Sequence, residues 1–495
     1  MENREYILTI DQGTTSTRAI IFDKYSNIIA SSQIEIEIFC PKNGWVEQNP
    51  EEIYESVVTT IKNVIRKSKV AISNIKCIGI TNQRETTIMW DKNTGKPVYH
   101  AIVWQSRQSQ NICEEWIKKD FKNKIKEKTG LLINPYFSAS KIKWIFDNVD
   151  GVHKKALSGD ILFGTVDTYL LWKLTNGKVH ITDYTNASRT MMFNIKKLCW
   201  DDEILKMFGI PSSVLPEVHE SSEIYGEYEI ENVKIPIASI VGDQQASLFG
   251  QCCFEAGSVK NTYGTGCFML MNTNDKIISS NTGLLTTIAW GLNGEVEYAL
   301  EGSVFVGGSA VQWLRDGMKM IETSNEVELY SDTGSGSNGV YVVPAFVGLG
   351  TPYWDNDARG SVFGITRNTK KEHFINATVE SIAFQSKDVM EVMKEASKLE
   401  ISSLAVDGGA SVNNYLMQFQ SNILNCKIQR PKCLETTALG ATYLAGLAVG
   451  VYKNKEELVN LQLIDKVFIP IMEEEKRNRL YEGWKKAIEA TRVFK

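Results

Sequence analysis

At 495 residues the chain exceeds what one ordinary hydrophobic core organises, so two domains or one very large one is expected. Hydrophobic residues make up 43% and charged residues 23%, the balance of a soluble globular protein, and a net charge of -5 supplies no chain-wide attraction for DNA, RNA or an anionic membrane. Nine scattered cysteines, odd in number and without a C-x-x-C pair, argue against a disulfide framework or zinc site and for a reducing, cytoplasmic compartment.

The N-terminal MENREYILTI has only a short apolar stretch before Asp11 and does not read as a signal peptide. Residues 6–10 form an apolar run, predicted as a strand, that stops at DQGTTST. Glycine at 13 permits a turn whose backbone amides can point at a phosphate, with Thr and Ser hydroxyls adding donors; a hairpin turn with no ligand would use the same residues. The acid at the strand end separates these readings, because a carboxylate beside phosphate is repulsive unless Mg²⁺ lies between them.

A helix is predicted over 49–68, with Asn49 as cap, Pro50 at the first position, Glu52 three residues after the cap and one apolar stripe of Ile53, Val57, Ile61 and Ile65. The next apolar run, 75–80, ends in TNQRETT, where Arg84 and Glu85 stand side by side. On a surface such a pair is worth little, but in a cleft it offers forked donors and an acceptor to a polyhydroxylated molecule. Two further runs, 161–166 and 235–241, end in DTYLLW and GDQQ. In VGDQQASLFG, Asp243 stands either as a helix N-cap or as a catalytic carboxylate.

The second half repeats the logic. GSVKNTYGTGCFMLMN reads as strand, turn, strand; TGSGSNG at 333–339 as a flexible loop; LAVDGGASVNNYLMQF as strand, glycine turn, helix; and 436–452 as a tightly packed buried helix too weakly apolar to span a membrane. Placing Gly13 on Gly264, an offset of 251, aligns GTTST with GTGCF, which suggests two related halves facing one ligand. Neither a G-x-x-x-x-G-K-[ST] loop nor a strand-linked G-x-G-x-x-G occurs, which excludes the usual P-loop and dinucleotide-binding signatures.

Together DQGTTSTRAIIFD, NQRETT, YFSASKIKWIFDN, GDQQASLFGQ, NTYGTGCF, EGSVFVGGSAVQWLRD, GSVFGITRNTKKEHFINATVES and LAVDGGASVNN resemble the FGGY carbohydrate kinases, in the family's order from 11 to 414. The resemblance implies an α/β fold of two duplicated actin/Hsp70/sugar-kinase-like (ribonuclease H-like) domains, expected at 1–251 and 252–495, with an active-site cleft between them. It implies ATP-dependent phosphorylation of glycerol, with xylulose, ribulose or gluconate as alternative substrates and a non-kinase ATPase as a more distant one. Arg84, Glu85, Tyr136, Asp243 and Gln244 would hold the glycerol hydroxyls, and Trp104 and Phe268 would wall its carbon chain. Thr14, Thr15, Ser16, Arg18 and Thr265 would meet the ATP phosphates. Gly308, Gln312, Gly409 and Asn413 would frame the adenosine, Asp11 would hold Mg²⁺, and Asp243 would be the general base. Family members are often homodimers or homotetramers. The fructose-bisphosphate loop and phosphorylatable histidine of some bacterial members are not visible in 226–237, where Lys234 is the sole cation.

Overall fold

A computed structural model describes residues 5–331 and 336–494; residues 1–4 and 333–335 of the two terminal and loop stretches named above lie outside that description. Two mixed sheets organise the chain. The first is built from β1 (Tyr6–Gln12), β2 (Ser16–Asp23), β3 (Ile28–Glu35), β4 (Ile75–Asn82), β5 (Ser222–Ile230) and β6 (Val233–Gly242), in the order β5-β6-β4-β1-β2-β3. β1, β2 and β3 form an antiparallel meander, and helix α1 (Pro50–Ser68) carries the chain back so that β4 runs parallel to β1. The predicted helix signals act as expected: Asn49 accepts the Glu51 amide at 3.0 Å, and Ile53, Val57 and Ile61 are buried. Glu52 does not close a capping box; it accepts the Glu37 amide at 3.0 Å and so ties the helix to the segment after β3.

β6 hands directly to α2 (Asp243–Gly250). The second sheet is then built from β7 (Val259–Tyr263), β8 (Cys267–Asn274), β9 (Leu285–Leu292), β10 (Glu295–Val304), β11 (Ser403–Asp407), β12 (Lys427–Pro431) and β13 (Ile464–Phe468), in the order β9-β10-β8-β7-β11-β12-β13. Here too an antiparallel meander (β7, β8, β10) is followed by a long helix, α4 (Lys371–Ser397), and a strand, β11, parallel to the first. Helix α3 (Gly308–Asp316) follows β10, α5 (Asn414–Leu424) links β11 to β12, and α6 (Thr436–Ala448) follows β12 as α2 follows β6. The repeat predicted from the two glycine turns is thus a repeat of topology: both turns join the first two strands of a meander. Residues 83–221, inserted between β4 and β5, make a further helical and small-sheet layer with its own apolar cluster around Trp116, Phe137 and Phe163.

The two halves exchange helices. α6, from the second half, lies on β1, β4 and β6 of the first sheet, while α2, from the first half, reaches β7 and β8 of the second. The apolar cluster between the sheets accordingly mixes Ile7, Phe22 and Val241 with Leu270, Trp290, Leu439 and Leu444. The helices cross closely because glycine stands at the contact: a Cβ on Gly440 would sit 1.8 Å from the Ala246 carbonyl oxygen, and one on Gly250 would sit 2.1 Å from that of Thr436. The buried Asp407 carboxylate binds the crossing, accepting from Ser247 Oγ (2.8 Å) and Gln251 Nε2 (2.9 Å) on one side and Thr436 Oγ1 (2.7 Å) on the other. Among the described residues no helix is long and apolar enough to cross a membrane, and all nine cysteines are free thiols.

In an unobstructed helix interior, glycine to alanine gains about 1 kcal/mol. Gly440→Ala should instead lose about 2 kcal/mol or more, because the methyl group meets backbone that cannot yield without opening the crossing. Urea unfolding checks the sign; a midpoint equal to or above that of the unmodified protein would contradict the close crossing.

Candidate active site

The turn from β6 into α2 places Asp243 at the seam between the sheets. Gly242 is the N-cap, with φ -61° and ψ 145°, so the capping reading of Asp243 is corrected: it is the first helical residue. Its Oδ1 accepts the Gln244 amide at 2.7 Å and faces Arg84 Nε at 3.1 Å, while Oδ2 accepts Gln244 Nε2 at 3.2 Å. The carboxylate therefore satisfies one free amide of the first turn. It nonetheless remains 29% exposed, whereas the Arg84 side chain beside it is buried.

Behind Asp243 runs a chain of alternating charges. Arg84 donates through Nη1 to Glu301 Oε2 (2.6 Å) and Gln245 Oε1 (3.1 Å), and through Nη2 to Glu301 Oε1 (3.1 Å). Arg189 donates through Nη2 to Glu301 Oε1 (2.8 Å) and through Nε to Glu85 Oε1 (2.7 Å). Burial pushes the Glu301 carboxyl up, but Arg189 and Arg84 outweigh it and hold the group down at about 2. For Glu85 burial wins over the same two arginines, and its carboxyl lies above the ordinary value. Glu85 also has φ +61°, a left-handed conformation that a non-glycine residue adopts at a cost of about 1–3 kcal/mol. Ser138 Oγ (3.1 Å) and Lys141 Nζ (3.4 Å) hold it there by donating to its carbonyl oxygen.

The aromatic residues singled out in the sequence come together on one side of these charges. Trp104 packs edge-on to Tyr136 (5.6 Å between centroids) and to Phe268 (6.1 Å), so a residue of the second sheet joins two of the inserted layer. Trp104 Nε1 donates to Thr14 Oγ1 at 2.8 Å, which ties this wall to the first glycine turn. In that turn the Gly13 amide bonds the Ser16 carbonyl at 2.9 Å, and Ser16 Oγ accepts from Gln33. Arg18, expected to face phosphate, pairs with Glu435 just before α6 and donates to Gln33 Oε1 at 2.9 Å. Asp11 lies under the turn: desolvation, with the Glu435 and Asp243 carboxylates adding to it and Arg18 opposing, raises its carboxyl to about 7.

On the second half, Gly308 opens α3 with its amide on the Gly264 carbonyl (2.8 Å), and a Cβ there would sit 2.7 Å from that oxygen and 3.9 Å from the Ala410 Cβ. The second turn, α3 and the 407–414 segment therefore adjoin. Thr265 and Gln312 are exposed, and Gly409 has open space where a side chain would stand. Asn413 spends its Oδ1 on capping α5, accepting the Leu416 amide at 2.8 Å.

Several participants were not singled out from the sequence: Glu301, Arg189, Gln245, Glu435 and Lys260. Lys260 is buried on β7 and donates to Gln244 Oε1 (2.6 Å) and Thr262 Oγ1 (2.9 Å). Burial pulls its ammonium down to about 8, against Asp407 and Asp243. The available signal was weak: Glu301 follows the apolar stretch 298–300 and Lys260 follows Val259, positions where a buried charge needs a partner.

Profiles for the FGGY family of carbohydrate kinases match 6–250 (N-terminal domain) and 259–449 (C-terminal domain). The glycerol kinase of Bacillus subtilis (strain 168) is 59% identical over 493 residues, 99% of each chain. Among solved structures, Plasmodium falciparum glycerol kinase with ADP superimposes with a TM-score of 0.91 at 39% identity, covering 99% of this chain and 98% of that one. A gluconate kinase from Lactobacillus acidophilus shares the fold at 23% identity, with a TM-score of 0.86 over 99% and 98% of the two chains.

Because Glu301 titrates lower folded than its ordinary 4.5, its ion pairs contribute stability above pH 4.5 that is lost as pH falls toward about 2. The urea midpoint of the unmodified protein should therefore fall more steeply between pH 5 and 3 than that of Glu301→Gln. Parallel curves would deny the ion pairs that role.

Proposed function

The chain belongs to the FGGY family of carbohydrate kinases, and we propose that it transfers the γ-phosphoryl group of ATP to glycerol, giving sn-glycerol 3-phosphate. The observation that carries this reading is the accessible Asp243 carboxylate, paired with Arg84 and bordered by the Trp104, Tyr136 and Phe268 rings. It supplies an acceptor, a cation and an apolar wall, the chemistry that a small polyol needs.

Of the five N–H donors on Arg84, Glu301 and Gln245 take three, leaving Nε and one Nη2 hydrogen for Asp243 and a substrate hydroxyl. Arg84 then holds glycerol together with Glu85, Tyr136, Gln244 and Asp243, while Trp104 and Phe268 cover its carbons. Thr14, Thr15, Ser16 and Arg18 bind the β- and γ-phosphates from one side and Thr265 from the other. Arg18 reaches them by exchanging its Glu435 partner for phosphate oxygens. Gly308 and Gly409, with no side chain in the way, and Gln312 and Asn413 frame the adenosine. Two kinase domains dividing near 251 would bring these sets together.

The glycerol oxygen forms a bond to the γ-phosphorus as the bond to the β-bridging oxygen breaks; ADP leaves and Asp243 takes the hydroxyl proton late in the transfer. Asp11 fits a divalent cation: burial, with the Glu435 and Asp243 carboxylates adding to it, raises its carboxyl despite Arg18, and such an ion would offset that. Asp11 would hold Mg²⁺ beside the ATP phosphates. There the ion supplies neutralisation of the phosphate charge. Closure of the halves around glycerol excludes water from the reacting phosphate.

ADP release measured with ATP and Mg²⁺ across glycerol, dihydroxyacetone, xylulose, ribulose and gluconate tests the reading. Glycerol should give the highest kcat/KM and strongly exceed turnover without acceptor; preference for a ketose, or equal ATP hydrolysis without any acceptor, would overturn it. Asp243→Asn should lower kcat by roughly 10² to 10⁴ while glycerol still binds. Turnover near that of the unmodified enzyme would remove Asp243 as the base.

A further inference from the structure

Glu301 is not among the residues assigned to substrate. Its side chain is fully buried at the inner part of β10, in the second half of the chain. Yet both of its oxygens are spent on arginines of the first half: Oε2 and Oε1 grip Arg84 as a fork, and Oε1 also accepts from Arg189. Those arginines in turn hold the two carboxylates assigned to the polyol site, Arg84 at Asp243 (3.1 Å) and Arg189 at Glu85 (2.7 Å). Stability alone does not account for such a cluster, since well-packed apolar residues replace buried ion pairs with neutral or favourable effect in many proteins.

The geometry selects a directional role. A two-point grip on the Nη atoms fixes the plane of the Arg84 guanidinium, and with it the direction of Nε and of the remaining Nη2 hydrogen. Arg189 is fixed likewise, its guanidinium lying over the Tyr136 and Phe137 rings at 5.6 and 5.4 Å, with Nη1 a buried donor that has no partner. We propose that Glu301 is a positioning residue for the polyol site. Acting through Arg84 directly and through Arg189 on Glu85, it makes glycerol recognition depend on the second half of the chain. This rests on the assignment of Arg84 and Glu85 to glycerol given above.

Steady-state kinetics on Glu301→Gln, Arg84→Ala and the double variant test it. Glu301→Gln keeps the shape and one acceptor but not the charge, and is expected to raise the glycerol KM tenfold or more while the ATP KM stays within twofold and kcat falls less than fivefold. In the Arg84→Ala background the same substitution should lower glycerol kcat/KM by a clearly smaller factor than in the unmodified enzyme, because the route through Arg84 is cut and only that through Arg189 and Glu85 remains. A glycerol KM within twofold of the unmodified enzyme, glycerol and ATP KM values rising together, or fully additive effects would overturn the proposal. Arg84→Ala without a rise in glycerol KM refutes the site assignment itself; a rise in Arg84→Ala with none in Glu301→Gln refutes Glu301 alone. If Glu301→Gln lacks a cooperative urea transition, Arg189→Lys decides. It keeps the charge and loses the fork, and should show the same split with at least a fivefold rise in glycerol KM; an unchanged KM would overturn the role.

Discussion

The close crossing of α2 and α6 is the constraint on which the site depends. Each helix packs on the sheet that its own half did not build, so the two sheets share an apolar cluster and are not joined by a linker alone. Burial of a Leu or Phe side chain in such a layer is worth about 1.5–3 kcal/mol, and Phe249, Leu439 and Leu444 are all inside it. The glycines at the crossing let the backbones approach until Asp407 can bond both helices. The N-terminal end of α2 is thereby pinned where the sheets meet, and Asp243 with it.

Around that fixed point the protein concentrates charge that it could not hold elsewhere. Two arginines and three carboxylates lie in one connected cluster, and the arginines separate the acids from one another. Low local polarity strengthens each of these contacts and makes each unmade one expensive. The left-handed backbone at Glu85 belongs to the same economy of position: strain is accepted where a carboxylate must point at one place. Asp11 shows the opposite balance: burial, with Glu435 and Asp243 adding to it, outweighs Arg18 and raises its carboxyl.

Much of this was legible in the sequence because it is local. Apolar runs ending in DQGTTST, TNQRETT, GDQQ and DGGASVNN are strands, and the Gly13–Gly264 correspondence is a repeat of strand order. Burial of 436–448 could be read from its small-residue composition; its placement on the other half's sheet could not, since it depends on contacts such as Ser239 Oγ to the Ala441 carbonyl, 202 residues apart. Glu301 was hidden for the same reason. Its partners stand 217 and 112 residues away, and no spacing rule connects one acid in VEYALEGSV with arginines in NQRETT and NASRT. Asp243 was half legible: the pattern marked the helix start but not that Gly242 takes the cap.

The exchange of helices also orders events at the ribosome. The face of the first sheet covered by α6 is complete in sequence by Gly242, but its cover ends at Ala448, so it emerges bare while some two hundred further residues are made. A nascent chain released in that interval, or one truncated within it, presents Ile7, Phe22 and Val241 to whatever surrounds it. Two halves made separately would each lack the helix that the other supplies.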